Sequence, residues 1–502
     1  MLWRGNWLRY DATQSVDNSI LLLWGTTMSG SFAAVSASGM AALLVFASGA
    51  FGAAYEGVTQ VGETGKKIVD YVKLAHEKGE FRGAVLAARQ GKVIAAVAVG
   101  DLGDGSKEDL KVDSLFEIAS CTKPFTAMAV MKLVEDGKLS LDDPIANHLK
   151  GVPEDCQAIK VRHLLQHTSG IPGTNSDGRG DDLAAVLPTF LDGGPRHPPG
   201  ERHEYWNQGY SLLSEVIAQA SGKPYTQYVR DAIFVPAKMK STRFTGQRPP
   251  KGTTVATGLS TYGAKRTALE HPYGEYGFQY RGMGGIVTNL IDLWRWDRAI
   301  AKGEIISQES LDAMTTPGDA GYALGWRIDS RTAGKPVHYH TGSVRGFLAS
   351  IKRFPADDGC LFVLAASDDQ APFNLITSGC EAIMAGRRPP VIAKAPVNDP
   401  RLDSKLIDSL VGTYRDEQGR TLTVTRQGKL AKAEINWHGP ITYGYLGAGD
   451  GDELRFGTMA RYNPKGFAGA DKIAVERDGE TVKALTLTIV QGGTSIRFER
   501  TQ

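Results

Sequence analysis

The chain lacks most of the features that announce a function outright. Cysteine is scarce, with four in 502 residues at positions 121, 156, 360 and 380. None form a C-x-x-C pair or a zinc-ligand spacing, so disulfides or zinc do not organise a chain of this size. Buried free thiols are the preferred reading, with a Cys360–Cys380 bridge left open. An excess of one charge is missing too. The 57 basic and 55 acidic residues form no long single-sign run, which argues against nucleic acid as a partner. No H-E-x-x-H occurs, and Gly282-x-Gly284-Gly285 follows no strand and lacks the Lys-Ser/Thr of a phosphate loop. Close packing is the expectation for those glycines. Residues 31–54 carry no charge, with an apolar centre at 41–47 and small residues after it. That pattern reads as a signal peptide, with an uncleaved anchor as the alternative and Met28 as an alternative start. A periplasmic or secreted location is therefore expected.

What is present is globular. An apolar fraction of 42% supplies a full core, and the length suits two or three domains. Residues 66–78 place Ile68, Val72 and Ala75 on one helical stripe. Apolar runs at 83–88 and 92–99 flank Arg89-Gln90-Gly91 and read as a hairpin. A helix is expected over 121–135, and strands over 337–341, 346–354 and 360–366. Strands at both ends with helices between them predict an α+β fold, an antiparallel sheet closed by N- and C-terminal strands and flanked by helices. Four prolines in 386–402 mark a linker. Short strand-like segments beyond it predict an all-β domain, barrel or sandwich. The expected plan is thus 1–54 leader, 55–385 α+β domain, 386–402 linker and 403–502 β domain.

The chemistry concentrates at Ser120-Cys121-Thr122-Lys123. A serine hydroxyl is a weak nucleophile until a neighbour takes its proton. A lysine three residues on shares its helical face, and Pro124 suits a first turn. Alone this spacing is common. Downstream come Tyr205-Trp206-Asn207 and His340-Thr341-Gly342-Ser343, supported by 163–172 (HLLQHTSGIP), Gly284-Gly285-Ile286-Val287-Thr288 and Leu324-Gly325-Trp326. Tyr205 read alone is an aromatic core residue. His163 and His167 have the i, i+4 spacing of zinc ligands but read as a structural corner. His338 and His340 share a strand face with no third ligand. Cys121 is expected to point away from Ser120, toward the core. For Tyr273, Tyr276, Phe278 and Tyr280, a cleft wall and ordinary packing are both open.

The ordered set resembles the serine β-lactamase and penicillin-binding protein superfamily, in its class C β-lactamase, D-aminopeptidase and esterase branch, over about residues 62–385. The resemblance implies a β-lactamase/transpeptidase-like fold and a serine hydrolase that cleaves an amide or ester through an acyl-enzyme, with no metal or organic cofactor. It implies Ser120 as nucleophile, with Lys123 and Tyr205 sharing proton transfer, the Tyr205 phenol being lowered by the Lys123 cation. Asn207 would hold Lys123 and substrate, and the N–H groups of Ser120 and Ser343 would receive the oxyanion. His340, Thr341, Gly342 and Ser343 form the substrate-binding strand. His340 stands where many relatives carry lysine, which weakens the expectation of a β-lactam or D-Ala-D-Ala carboxylate and favours peptides with other ends, or esters. A penicillin-binding sensor that turns over slowly and a non-catalytic scaffold are the rival readings. Residues 403–502 resemble the lipocalin-like barrel appended to such hydrolases, which would shape the cleft, mediate oligomers or merely pack.

Overall fold

The computed structural model describes residues 58–501 apart from 79–80, 173–179, 261–263, 319–320, 331–334, 393–401, and 428–429, 437–440, 449–452, 458–461, 464–465, 468–470 and 490–493 in the C-terminal part. The expected leader and most of the expected linker lie outside the described residues. No described helix is long and apolar enough to cross a membrane.

One seven-stranded antiparallel sheet organises the first part. Its strands are β1 (Thr59–Gln60), β2 (Gly83–Arg89), β3 (Lys92–Val99), β4 (Arg327–Asp329), β5 (Val337–Val344), β6 (Phe347–Phe354) and β7 (Gly359–Ala365), in the order β1-β3-β2-β7-β6-β5-β4. Strands from early and late in this part meet at β2 and β7, where Gly83 pairs with Ala365 and Ala88 with Cys360. The hairpin turns at Gln90 and Gly91, with φ of 50° and 66°. Two left-handed residues match the right-handed twist of the strands they join.

Both faces of the sheet are covered, which explains why its inner strands are continuously apolar rather than alternating. Ala84, Leu86, Phe362 and Leu364 face the larger core, while Val85, Ala87, Leu361 and Val363 face a smaller one. The smaller core is closed by α1 (Gly62–Glu77) and α6 (Gln370–Met384). The larger core lies against α2 (Lys123–Glu135), α3 (Val161–Leu165), α4 (Asn207–Ser221) and α5 (Leu290–Ala301). The expected helix over 121–135 is shorter as an α-helix, because residues Ala119–Thr122 form a 3-10 turn ahead of it. The four cysteines are free and buried, so 360 and 380 are not bridged.

A buried ion pair ties α5 to the sheet. Asp297 accepts from Arg353 Nε of β6 at 2.7 Å and from Arg298 at 2.5 Å, with Asp297 only 1% exposed. Removing one partner would strand the Arg353 guanidinium in the core. Asp297→Ala is therefore expected to destabilise this part by about 3–5 kcal/mol. Urea unfolding followed by the fluorescence of the stacked Trp296–Trp326 pair checks this; an unchanged midpoint would contradict it.

The C-terminal part is a closed eight-stranded barrel of Gly412–Arg415, Thr421–Gln427, Leu430–Asn436, Ile441–Ala448, Leu454–Gly457, Asp471–Asp478, Thr481–Ile489 and Thr494–Arg500. First and last strands pair, Tyr414 with Arg500. That pairing makes it a barrel rather than a sandwich, because the first strand finds its second neighbour in the last. Leu422, Val424, Ile435, Leu485 and Phe498 are among the residues of its core.

Candidate active site

A strained turn presents Ser120. Phe116–Glu117 pairs with Ile286–Thr288, and the Ile118 N–H donates to the Ile286 carbonyl at 3.0 Å. The chain then reverses at Ala119, whose φ of 45° lies in the left-handed region that costs a non-glycine residue about 1 kcal/mol. Ser120 follows inside the 3-10 turn. Residues three apart are eclipsed in that geometry, so Lys123 stands over Ser120 more directly than α-helical spacing would bring it. Cys121 points the other way, its thiol 3.4 Å from the His340 carbonyl and fully buried.

Lys123 is the centre of the cluster, with no solvent exposure. Its Nζ lies 3.1 Å from Ser120 Oγ, 2.8 Å from Asn207 Oδ1 and 3.3 Å from the Met283 carbonyl oxygen. It also sits 4.9 Å from the Tyr205 ring centroid and 5.4 Å from that of Tyr210. Burial drives its pKa well below the ordinary lysine value, and the Arg327 charge pushes the same way. A neutral amine has two N–H bonds and one lone pair. In that form the two carbonyl-type oxygens can take the N–H groups, which leaves the lone pair for the Ser120 hydroxyl.

Tyr205 departs from its expected electrostatics. Its phenol hydrogen-bonds to Ser120, but burial pushes it up to about 12, against smaller lowering effects from that hydrogen bond and from Arg327. The expected net lowering by a Lys123 cation does not result, because desolvation of the phenol outweighs the lowering effects. The resting phenol therefore keeps its proton and is a donor or relay, not a ready base.

Strand β5 alternates. His338, His340, Gly342 and Val344 are buried, while Thr341 and Ser343 are exposed. Gly342 is required where it stands: a Cβ there would lie 2.1 Å from the Ile118 carbonyl oxygen and 3.2 Å from the Cys121 nitrogen. Only glycine lets β5 close on the turn that carries Ser120. His340 is 2% exposed, with Nε2 3.0 Å from the Tyr322 hydroxyl and Nδ1 2.8 Å from the Thr341 carbonyl. Burial, helped by Lys123 and Arg327, lowers it to about 3. At neutral pH it has no charge to offer a substrate.

The structure thus brings Ser120, Lys123, Tyr205 and Asn207 into direct or near contact, with His340 in the wall behind and Gly342 locking the strand of Thr341 and Ser343 against the turn. Several participants were not singled out in the sequence. Arg327 lies at 5.6 Å from the Tyr205 ring and 5.4 Å from the Tyr322 ring. It is half-buried, and no carboxylate pairs with it among the described residues. Its only signal was its place directly after Leu324-Gly325-Trp326. Tyr210, Tyr322 and Met283 carried no signal at all. His163 and His167 each spend Nδ1 on a backbone N–H, of Lys160 and Trp206. Of the aromatic group, Phe278 and Tyr280 are buried, and Tyr280 hydrogen-bonds Glu117, which Arg266 neutralises at 2.5 Å. Tyr276 donates to the Gly284 carbonyl at 3.0 Å, and Tyr273 alone is exposed.

Comparison with known proteins agrees with this fold. Residues 68–376 match the family model described as Beta-lactamase. Penicillin-binding protein 4* of Bacillus subtilis is 29% identical over 387 residues, which is 72% of this chain and 85% of that protein. Protein flp of Staphylococcus aureus is 28% identical over 311 residues, 58% of this chain and 60% of its own length. Among solved structures, the octameric penicillin-binding protein homologue from Pyrococcus abyssi has a TM-score of 0.57 at 23% identity, covering 87% of this chain and 99% of its own. The D-amino acid amidase from Ochrobactrum anthropi SV3 has a TM-score of 0.55 at 23% identity, over 64% of this chain and 99% of its own. With the family model spanning more than half of its length, the chain belongs to the beta-lactamase family of serine hydrolases.

Proposed function

We propose that the protein hydrolyses an amide or ester bond through a covalent Ser120 acyl-enzyme, on a substrate that carries a carboxylate near the bond cleaved. The carrying observation is the geometry at Lys123: a fully buried amine within hydrogen-bond distance of Asn207 Oδ1, the Met283 carbonyl and Ser120 Oγ, whose deprotonated form would engage both N–H groups and leave its lone pair for Ser120 Oγ, 3.1 Å away. In this reading Lys123 takes the serine proton as Ser120 attacks the carbonyl carbon. The Tyr205 hydroxyl passes a proton on to the leaving group, and the N–H groups of Ser120 and Ser343 receive the oxyanion. Water then enters by the reverse sequence and releases the acid. Asn207 holds Lys123 in place, and Thr341 with Ser343 offers the exposed side of β5 to the substrate.

Recognition of the carboxylate falls to Arg327 rather than to His340. The imidazole is buried and uncharged, whereas the guanidinium is stacked on Tyr205 with no carboxylate partner among the described residues. A charged hydrogen bond contributes about 1.5–3 kcal/mol, so Arg327→Gln is expected to raise KM for a carboxylate-ended substrate by roughly ten- to a hundredfold. The amidated analogue of the same substrate should be nearly unaffected. Equal losses on both would reject this role. The names of the relatives, penicillin-binding proteins and a D-amino acid amidase, support a peptide containing a D-amino acid or a β-lactam as substrate, and small esters are a second class the same chemistry accepts.

The test is to incubate the protein with a labelled β-lactam, a p-nitrophenyl ester and a D-amino-acid amide. Mass on the Ser120 peptide and product release are followed together. An adduct at Ser120 with turnover supports the proposal. An adduct without turnover favours a penicillin-binding sensor. Neither adduct nor turnover with any probe overturns it. Export, proposed from the uncharged stretch at 31–54, is checked by cell fractionation.

A further inference from the structure

Tyr205 sits in a segment, residues 202–206, with no regular secondary structure. Its place over Ser120 and Lys123 is therefore not fixed by a ladder or a helix. One other residue grips it from both sides. The His167 carbonyl accepts the Glu204 N–H at 2.7 Å. The imidazole Nδ1 of the same residue accepts the Trp206 N–H at 3.1 Å. The backbone N–H groups of the residues on either side of Tyr205, Glu204 and Trp206, are thus held by a single side chain and its own backbone, as a neighbouring strand would hold them. The imidazole also lies against the phenol, with ring centroids 4.1 Å apart.

His167 is itself firmly held. It follows α3 with a φ of 57° and is 1% exposed. The next residue is anchored on both sides, the Thr168 N–H donating to the His163 carbonyl at 2.8 Å and the Thr168 carbonyl accepting from Gly200 at 2.7 Å. A left-handed backbone in a non-glycine residue is strain that the surroundings must impose. Its chemistry is also specified. Because Nδ1 is an acceptor, a neutral ring carries its proton on Nε2. Burial is the largest cause that holds its pKa well below the ordinary histidine value, and the Arg327 charge pushes the same way, so the ring is neutral. Nε2 has no hydrogen-bond partner among the described residues and lies among aromatic rings, with Tyr322 at 4.7 Å and Tyr210 at 5.1 Å. A weak N–H to ring contact suits that setting. The imidazole is a wedge between three tyrosines, of which one touches Ser120.

We propose that His167 is the positioning residue of Tyr205: it fixes the position and angle of the phenol at the Ser120–Lys123 pair through its Nδ1 and its carbonyl. The inference rests on the acyl-enzyme reading above and adds a residue that does not touch substrate. A space-filling role would need only the ring's volume, and the two roles predict different results.

The test compares His167→Leu with His167→Asn. Leucine fills space but accepts no hydrogen bond; asparagine keeps an acceptor and tolerates the left-handed backbone. A misplacement of about 1 Å at a catalytic group costs about a hundredfold in rate. His167→Leu is expected to lower kcat by about that factor with KM changed less than about threefold, the pattern of a lost transition-state interaction. His167→Asn should recover to within about tenfold of wild type. In a Tyr205→Phe background, His167→Leu should cost less than about threefold more, because residues acting through one group are not additive. If leucine prevents folding, His167→Gly, which accepts the φ and lacks the acceptor, takes its place with the same expectation. Equal activity of the leucine and asparagine variants, or full additivity with Tyr205→Phe, overturns the inference. Absence of a Ser120 adduct in the wild-type protein would instead overturn the acyl-enzyme reading, so the two failures are told apart.

Discussion

Ser120→Ala is expected to lower turnover of every accepted substrate by about 10⁴-fold or more and to abolish the covalent adduct. The size follows from what the side chain does in the proposed reaction. It supplies the oxygen that bonds to the carbonyl carbon, and nothing else near Lys123 can. Cys121 is the nearest alternative nucleophile in sequence, but its thiol is fully buried, faces the His340 carbonyl and is pushed by burial far above the ordinary thiol value. Residual activity would come from the oxyanion donors and binding alone. The fold should be unaffected, because Ser120 is half-exposed and its loss leaves the lysine with two acceptors, Asn207 Oδ1 and the Met283 carbonyl. Steady-state kinetics and intact-protein mass spectrometry after β-lactam treatment measure both effects. Retention of more than about one hundredth of the rate would contradict Ser120 as nucleophile.

Lys123→Met should cost about 10³-fold in kcat/KM, the middle to upper range for removing a general base, and its effect on stability runs the other way with pH. Burial holds the Lys123 pKa well below its unfolded value of 10.5. Between the depressed folded value and 10.5, the unfolded chain binds the proton and the folded chain does not. Unfolding therefore takes up a proton, and stability rises with pH across that window. The wild-type melting temperature, corrected for other groups by comparison, should climb relative to Lys123→Met from neutral pH toward pH 10. Parallel profiles would mean that Lys123 is charged in the folded protein, which would also remove it as the serine's base. Activity should show the matching limb: it is lost on the acid side, as pH falls through the depressed Lys123 value and the lone pair is taken by a proton.

Much of the fold was legible because its signals are local. The apolar runs either side of Arg89-Gln90-Gly91 make a hairpin by turn chemistry, and β5, β6 and β7 fall within a few residues of where their sequences put them. The helix start was misread, since Ala119 takes a left-handed backbone that no propensity favours and the turn after it becomes 3-10. Strand β4, three residues long, is too short for a period to register, so Arg327 was missed with it. The spacing of Ser120, Lys123, Tyr205 and Asn207 named the residues that meet. It misjudged the phenol of Tyr205, because a sequence counts neighbouring charges and cannot weigh their desolvation.

By itself, then, the sequence determined which groups this protein has for its chemistry: a serine with a lysine one turn on, a tyrosine and asparagine on a second segment, and a glycine-bearing strand to close against them. Those follow from residue identity and spacing, which survive any details of packing. Only the tertiary structure decided their electrostatics and their orientation. Burial lowered the pKa of Lys123, kept the proton on Tyr205 and removed the charge from His340, while a guanidinium from a distant short strand came to lie over the phenol and a histidine from α3's end came to lie against it. The physical reason is the same throughout: pKa and orientation depend on what surrounds a group in three dimensions, and desolvation inside this core outweighs every effect that neighbours in sequence could exert.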